Sequence, residues 1–523
     1  MKNPRRVAIF FCFFAAPLIL SFFTAASIPV LPLVYIYWLL LFISVFTVAV
    51  FQIQMFKADK YAFKLLHQQT NKKMIIFVAS FNEDPGMLAR NLISIKNANT
   101  EGEVCLLDDS TDQKIVKELI PICEKLGVRF IHRNSRRGYK AGALNDALAM
   151  IGNDYEFMAV FDSDQMPNPR FFTGVMGYFS DPKIAVVQIP PTYTSVPTNI
   201  SQSSFFQQEV FLRKIMRARS GSSAFILGSG FVARISAIRS VGGFFEEYVT
   251  EDLATSILLQ SNGWKIVYVD TSDIWYGRSP ETVGAYLKQQ GRWSLGGFQS
   301  LSLMLTSNLS LSAFFDYFSG WLYWLWVGPV RLFSLFSLVL FLDFRLYTIF
   351  VNPIFFIIFY FPFFIYSMLF YYYTASDGLM NYGIKGFFMH QGTELLLMFT
   401  VTSSFLTYIL GRKRPFTVTP KGVAGTYSFS QAMPMILVDF RKKTTFYRYT
   451  KRRCRNLFFQ SGHAHDPGRI ACYFHNKLGD YMAKDCQPLY IKGGHLHKHI
   501  LCFLPYTFPD SSKRYTVYQH LFP

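Results

Sequence analysis

Glu156 to Gln165, EFMAVFDSDQ, is the stretch on which the reading of the whole chain turns. Phe157 to Phe161 is an uninterrupted apolar run, as expected of a strand buried on both faces of a parallel sheet. It passes directly into Asp162-Ser163-Asp164. Open α/β sheets bind ligands beyond the carboxyl ends of their strands, and the two carboxylates fall there. Side by side they repel each other unless a cation lies between or beside them. Oxygen-only ligands favour a hard divalent ion, which often shares its coordination with a diphosphate. The plain alternative is an aspartate-rich turn that caps the next helix.

Composition sets the class. Hydrophobic residues make up 51% of 523 positions and aromatics 18%, too apolar for an ordinary soluble enzyme and suggestive of membrane spans. A net charge of +19 suits cytoplasmic loops facing anionic membrane lipid. Nucleic-acid binding is the other reading of that charge, but no helix-turn-helix, RRM or zinc-finger pattern accompanies it, so no nucleic-acid partner is expected. Seven cysteines without a framework spacing fit a reducing, cytoplasmic compartment.

Val7 to Ser27 and Leu33 to Phe51 are apolar runs, each about long enough to span a bilayer. Lys2, Arg5 and Arg6 precede the pair, and Lys57, Lys60 and Lys64 follow it, so both outer ends are expected in the cytoplasm. A cleaved signal peptide is the rival reading of the first run; the second run and the lack of a clear cleavage site count against it. Between Lys73 and Asp270 short apolar runs alternate with helical stretches. Met74–Ala79, Val104–Leu107, Val128–Ile131, Phe157–Phe161, Ile184–Val187 and Ile266–Val269 are the expected strands of a parallel sheet covered on both faces. Asn199 to Ser220 and Glu281 to Leu305 are longer amphipathic stretches, suited to the membrane surface or to packing on the domain. Phe318 to Leu342 and Val351 to Tyr373 are further spanning runs. Thr393 to Leu410 is marginal in length and ends in Gly411-Arg412-Lys413-Arg414. Crossing would put those cations outside, so an interfacial helix is expected. The chain is thus divided into two spanning helices (1–56), a cytoplasmic domain with interfacial helices (57–310), two spanning helices (311–375), an interfacial helix and loop (376–430), and a basic irregular tail (431–523).

Several polar clusters punctuate the α/β region. Ser80-Phe81-Asn82-Glu83 follows the first strand, where a nucleotide base can rest. Asp109, after the second strand, can accept from a base N–H or a sugar hydroxyl. Arg136-Arg137-Gly138-Tyr139-Lys140-Ala141-Gly142 offers cations beside small residues that let a backbone approach phosphate, with Lys140 as a point charge. Thr250-Glu251-Asp252 precedes an amphipathic helix, and Asp252 reads either as a general base or, with Thr250, as part of an ordinary helix start. Gln289-Gln290-Gly291-Arg292-Trp293 sets an arginine suited to a departing diphosphate beside a flat apolar face suited to a sugar ring; an interfacial Arg-Trp pair is the plainer reading.

Taken together, Asp109, the D-x-D of Asp162 and Asp164, the T-E-D of Thr250 to Asp252 and the Q-x-x-R-W of Gln289, Arg292 and Trp293 resemble, in order and spacing, the processive family 2 glycosyltransferases of the cellulose synthase and hyaluronan synthase group. Lys140-Ala141-Gly142 with Asn145 resembles that family's K-A-G-x-x-N segment. Phe416-Thr417-Val418-Thr419-Pro420-Lys421 resembles the F-x-V-T-x-K gating loop of cellulose synthases and favours that side of the group. The resemblance covers roughly Phe77 to Gly422. It implies a GT-A (Rossmann-like α/β) catalytic domain in a multi-pass protein of the plasma membrane, with the catalytic domain cytoplasmic. It also implies a UDP-sugar donor, Mg²⁺ or Mn²⁺ at Asp162 and Asp164, and a growing β-linked polysaccharide as acceptor. Asp109, with Ser80 and Glu83, would hold the uracil end; Lys140 would touch the diphosphate; Asp252 would be the base for an inverting attack. Thr250, Glu251, Gln289, Arg292 and Trp293 would serve the diphosphate and the acceptor, and Gly228-Ser229 lies where the family lines the acceptor site.

Family members usually continue with more spans after the gating loop, and none is expected from Val423 onward, which puts polymer export and any accessory export subunit in question. Arg448 and Arg452 have the R-x-x-x-R spacing of a cyclic-di-GMP-binding PilZ module without its companion motif. Cys454, Cys472, Cys486 and Cys502 match no usual zinc pattern. Two other functions compete: single-sugar transfer to a lipid, opposed by Q-x-x-R-W and the loop at Phe416, and a non-catalytic export scaffold, opposed by intact Asp162, Asp164 and Asp252.

Overall fold

The apolar runs become strands with small shifts at their ends. In the computed structural model they are β1 (Met74–Ser80), β2 (Glu103–Asp108), β3 (Arg129–His132), β4 (Phe157–Asp162), β6 (Ile184–Gln188) and β9 (Lys265–Tyr268). The structure describes residues 32–58, 73–98, 102–169, 171–193, 198–271, 275–277, 279–344, 361–376 and 382–412, with Leu66, Ile354 and Ile357. The expected span Val7–Ser27, the loop at Phe416, Val418, Thr419 and Lys421, and the tail from 431 lie outside the described residues.

One further strand enters the main sheet and changes it. β8 (Phe231–Arg234) lies between β4 and β6 and runs antiparallel to both, so the seven-stranded order is β3-β2-β1-β4-β8-β6-β9. The sheet is mixed rather than parallel throughout. The chain after β4 makes a long excursion through β6 before β8 returns to pair with β4 along Phe157 to Val160. A small second sheet, β5 (Met166–Pro167), β7 (Thr192–Tyr193) and β10 (Trp275–Gly277), stands beyond the strand ends.

Both faces of the main sheet are covered, as continuous apolar strands require. One face packs on α2 (Pro85–Ala98), α3 (Gln113–Leu126) and α5 (Phe171–Val175) through Leu88, Leu92, Leu119 and Phe171. The other packs on α4 (Tyr139–Met150), α7 (Ile235–Ser240) and α8 (Glu251–Ser261) through Leu144, Ala147, Ile238 and Leu259. Phe77, Phe157, Phe161 and Phe231 are almost wholly buried, each worth about 1.5–3 kcal/mol of transfer free energy.

The long helices gather at the strand ends. α6 (Asn199–Val210) runs through a π-helical turn, Phe211–Met216, into Arg217–Arg219. It is packed against protein, not free: Glu209, Lys214 and Arg219 are all buried. Arg219 donates to the Asp316 carbonyl at 2.6 Å and to Ser319 Oγ at 3.1 Å, while Gln54 donates to Asp316 Oδ1 at 2.8 Å. These bonds tie α1 (Pro32–Ala58) and α6 to α10 (Leu311–Leu325). α9 (Val283–Thr306) is capped by Thr282 Oγ1, which accepts from Ala285 N. From α10 a π turn at Trp326–Val330 leads into α11 (Arg331–Phe344). α12 (Phe361–Ser376) takes in Phe361 to Tyr373 of the run Val351–Tyr373. α13 (Gly383–Ile409) starts ten residues before the expected Thr393. Among the described residues, Leu311–Leu340 and Gly383–Ile409 are long and apolar enough to cross a membrane by length and composition.

Candidate active site

Parallel pairing sets the site. Ser80 is in register with Asp108, and Ala79 with Asp162, so β1, β2 and β4 end on one rim. The residues beyond those ends open on a cavity of about 830 Å³. Ser80, Glu83, Asp109, Lys140, Asp162 and Asp164 form one part of its wall. Gly228, Ser229, Thr250, Glu251, Asp252, Gln289, Arg292 and Trp293 form another. Every described candidate from the sequence therefore lines a single cavity.

Asp162 joins several of these side chains by hydrogen bonds. Its Oδ1 accepts from Lys140 Nζ at 2.5 Å and its Oδ2 from Ser229 Oγ at 2.8 Å. Gln165 closes the group: its Nε2 donates to Ser229 Oγ at 2.7 Å, and its Oε1 accepts from Asp162 N at 3.0 Å. Lys140 is thus held against the carboxylate beside which a diphosphate was expected. Gly142 behind it also serves the fold. A Cβ on Gly142 would stand 1.9 Å from the Arg137 carbonyl oxygen, so only glycine lets α4 start there.

Asp109 is expected, with Ser80 and Glu83, at the base end of the donor. It is gripped side-on by Arg133, whose Nε and Nη2 each donate to it at 2.7 Å. Arg133 also donates to Asp146 at 2.8 Å, Arg137 donates to Asp146 at 2.7 Å, and Arg137 pairs with Glu246. A carboxylate oxygen that accepts one bond keeps a second lone pair, so Asp109 can still take a ligand N–H or hydroxyl. Asp108 looks inward and bonds His132 Nδ1 at 2.8 Å and Ser110 Oγ at 2.6 Å. Arg136 lies over the Phe81 ring, 3.5 Å from its centroid. Arg133, Asp146, Glu246 and Gln165 escaped the sequence reading because nothing in their spacing links them.

Asp252 opens α8. Thr250 occupies the cap position without a capping side-chain bond, and its hydroxyl is buried with no partner. The ordinary helix-start reading therefore lacks its main contact. Asp252 Oδ1 accepts from Leu253 N at 2.8 Å. Burial, then the charge of Glu251, push the Asp252 carboxyl up to about 7, against the pull of the Leu253 N–H, Lys140 and Arg292. Although it borders the cavity, protein surrounds it closely enough for desolvation to dominate. On α9, Gln289, Arg292 and Trp293 stand at helical spacings that place them on one face.

The wall continues along the long helices. Gln207 links the hydroxyls of Tyr286 and Tyr323. Tyr323 donates to Glu394 Oε1 at 3.0 Å, and Arg331 donates to Glu394 Oε2 at 2.7 Å. Trp321, Trp324 and Trp326 border the same space. Among the described residues, no three His, Cys, Asp or Glu side chains converge as a metal-binding group.

Residues 157–375 match the family described as Glycosyl transferase family group 2. The chain carries a family 2 glycosyltransferase domain. The match begins at β4, contains the D-x-D, T-E-D and Q-x-x-R-W residues, and ends in α12. Over 210 residues the chain is 32% identical to probable glucomannan 4-beta-mannosyltransferase 7 of Oryza sativa subsp. japonica, covering 37% of this chain and 35% of that protein. Over 363 residues it is 27% identical to cellulose synthase 2 of Novacetimonas hansenii, covering 66% of this chain and 22% of that protein. It therefore spans well under half the length of these curated relatives. Among solved structures, a mannosyltransferase from Pyrobaculum calidifontis in complex with GDP-Man and Mn2+ superposes with a TM-score of 0.53 at 13% identity, covering 73% of this chain and all of that one. That likeness is one of fold: the family 2 domain has the GT-A architecture, built here on a mixed sheet.

Proposed function

We propose that this chain is a membrane-embedded, inverting glycosyltransferase that moves a sugar from a UDP-sugar to the end of a growing β-linked polysaccharide. The observation that carries the reading is the single cavity lined by Asp162, Asp164 and a partly buried Asp252 whose carboxyl is raised to about 7. An inverting transfer needs both parts in one space: acids that can hold a diphosphate through a cation, and a base.

The named relatives make or extend β-glycans, and they support the reaction class. The donor base would lie against Ser80, Glu83 and Asp109, with Arg133 fixing the Asp109 carboxylate. Asp162 and Asp164 present only oxygen ligands and fit a hard divalent ion, Mg²⁺ or Mn²⁺. With no third acid converging among the described residues, diphosphate oxygens and water would complete the coordination. When bound, that ion would neutralise charge on the diphosphate.

The remaining steps fall to the chain itself. Trp293 offers a flat apolar face to the acceptor sugar. Asp252 takes the proton of the acceptor hydroxyl as the oxygen attacks the anomeric carbon from the side opposite the diphosphate. The bond from that carbon to the diphosphate oxygen breaks, and the nucleoside diphosphate leaves with the electron pair. Lys140 and Arg292 meet its charge. Gln207, Tyr323 and Trp326 extend the cavity wall with amide, hydroxyl and ring faces suited to a polyhydroxylated chain. α1, the stretch Leu311–Leu340 and α12 would hold this path in the plasma membrane, with Gly383–Ile409 at its interface and 57–310 in the cytoplasm.

The test is sugar incorporation by membranes carrying the chain, with labelled UDP-sugars and GDP-mannose compared and the product digested by linkage-specific glycosidases. Polymer from a UDP-sugar supports the proposal. A single labelled lipid instead of polymer would replace the polysaccharide acceptor, and no transfer from any donor would remove the reading.

A further inference from the structure

Five residues, Ile226 to Gly230, form a strap whose middle, Leu227 to Ser229, lines the cavity. Ile226 N donates to Ser256 Oγ at 2.9 Å, and Ser256 Oγ in turn donates to the Asp252 carbonyl at 2.6 Å. Leu227 N donates to Gln188 Oε1 at 2.8 Å. Gly228 is left-handed at φ +83°, and a Cβ there would stand 3.3 Å from Asp252 Oδ2. Ser229 Oγ donates to Asp162 Oδ2. Gly230 N donates to the Val160 carbonyl at 2.8 Å, which anchors the segment to β4.

Gln188 has no contact with the cavity residues through charge, and its side chain is fully buried. Its amide is nevertheless used completely. Besides accepting from Leu227, it donates to the carbonyls of Ile189 at 2.8 Å, Ser229 at 2.9 Å and Gly230 at 3.2 Å. A buried polar side chain carries a desolvation cost unless its bonds are made, so this one holds the strap to the end of β6 in a single geometry. The strap is thus held along its length by Gln188 and at one end by Ser256, with Ser229 bonded to Asp162 and Gly228 beside Asp252.

We infer that the strap Ile226–Gly230 sets the distance between Asp162 and Asp252, and that Gln188 and Ser256 are the positioning residues that hold it. This rests on the transfer reaction proposed above and extends it. Neither residue contacts the reacting atoms. Both act on how well the hydroxyl near Asp252 is aligned with a donor held at Asp162. A displacement of about 1 Å at such a site costs on the order of a hundredfold in rate.

The test uses the full chain in membranes or detergent. Gln188→Met keeps the side-chain length and removes the amide; Ser256→Ala removes only the hydroxyl and guards against a Gln188 variant that does not fold. Both are expected to lower kcat by about 10- to 100-fold with the donor KM within about twofold of the parent. Nucleoside diphosphate binding and melting temperature are read in parallel. Unchanged kcat in both variants overturns the inference and leaves the transferase reading standing. Equal losses of kcat, nucleotide binding and melting temperature also overturn it, by showing a merely structural role. A parent chain that transfers no sugar overturns the transferase reading and the inference with it.

Discussion

Asp252→Asn separates a catalytic base from a helix-start acid. Asparagine keeps the size and the hydrogen bond accepted from Leu253 N, but takes no proton at neutral pH. If Asp252 is the base, transfer falls by about 10²–10⁴-fold, whereas a lost helix-dipole contact is worth only about 0.3–1 kcal/mol. Stability moves the other way. The folded carboxyl is raised from the ordinary 3.8 to about 7, so between those values the folded state binds more protons than the unfolded. Stability contributed by this group is therefore complete below pH 4 and is lost as pH rises through about 7. At about 1.4 kcal/mol per pH unit the ceiling is about 4 kcal/mol; because the carboxylate borders the cavity, about 2 kcal/mol is the expected cost at pH 8. The asparagine variant carries none of it and should melt a few degrees higher at pH 8 and the same as the parent at pH 4. The assays are labelled sugar transfer, nucleoside diphosphate binding and thermal melting at both pH values. Transfer within about threefold of the parent would refute the base assignment. So would a variant that has lost nucleotide binding and melts lower, because then the acid only held the fold together.

The same geometry yields other outcomes. The base must be unprotonated to work, so kcat should fall with acid below about pH 7, and Glu251→Gln, which removes the largest like charge acting on Asp252, should move that limb to lower pH with little loss at the plateau. Lys140→Met removes a charge that lowers the Asp252 carboxyl and a cation beside Asp162; the limb should move to higher pH and donor KM should rise, read from pH profiles at varied donor. Arg133→Lys breaks the side-on grip on Asp109 and should weaken nucleoside diphosphate binding by about tenfold without moving the acid limb, measured by titration calorimetry. A cysteine placed at Leu346 should react with an impermeant thiol reagent from outside the cell and one at Gly411 should not, and a labelled Gly411 position would show that Gly383–Ile409 crosses the membrane.

How much of this could be read from the chain depended on whether the signal was local. Phe157 to Phe161 announces a buried strand because every side chain in it is apolar, and the acids that follow are fixed at its end by continuity. β8 was hidden for the opposite reason. Phe231-Val232-Ala233-Arg234 is short, ends in a charge and follows Gly228-Ser229-Gly230, so it looks like loop, and only pairing with β4 and β6 makes it a strand. The cavity-lining acids were legible from their motifs. Their supports were not: Arg133 reaches Asp109 from 24 residues away, and Gln188 meets Ser229 across 41. A glutamine at a strand end reads as a surface residue until the fold closes over it. α13 was underestimated because Gly383 to Gln391 carries His390 and Lys385, which interrupt the apolar pattern although the helix runs straight through them.

The most direct test of the central claim is nucleoside diphosphate release from labelled UDP-sugars by the full chain, compared with Asp162→Asn/Asp164→Asn and with EDTA added. Release that requires both acids, stops with chelator and returns with Mg²⁺ or Mn²⁺ is the predicted result. Release that continues undiminished in the double variant or under chelation would contradict the assignment of the donor site to the end of β4.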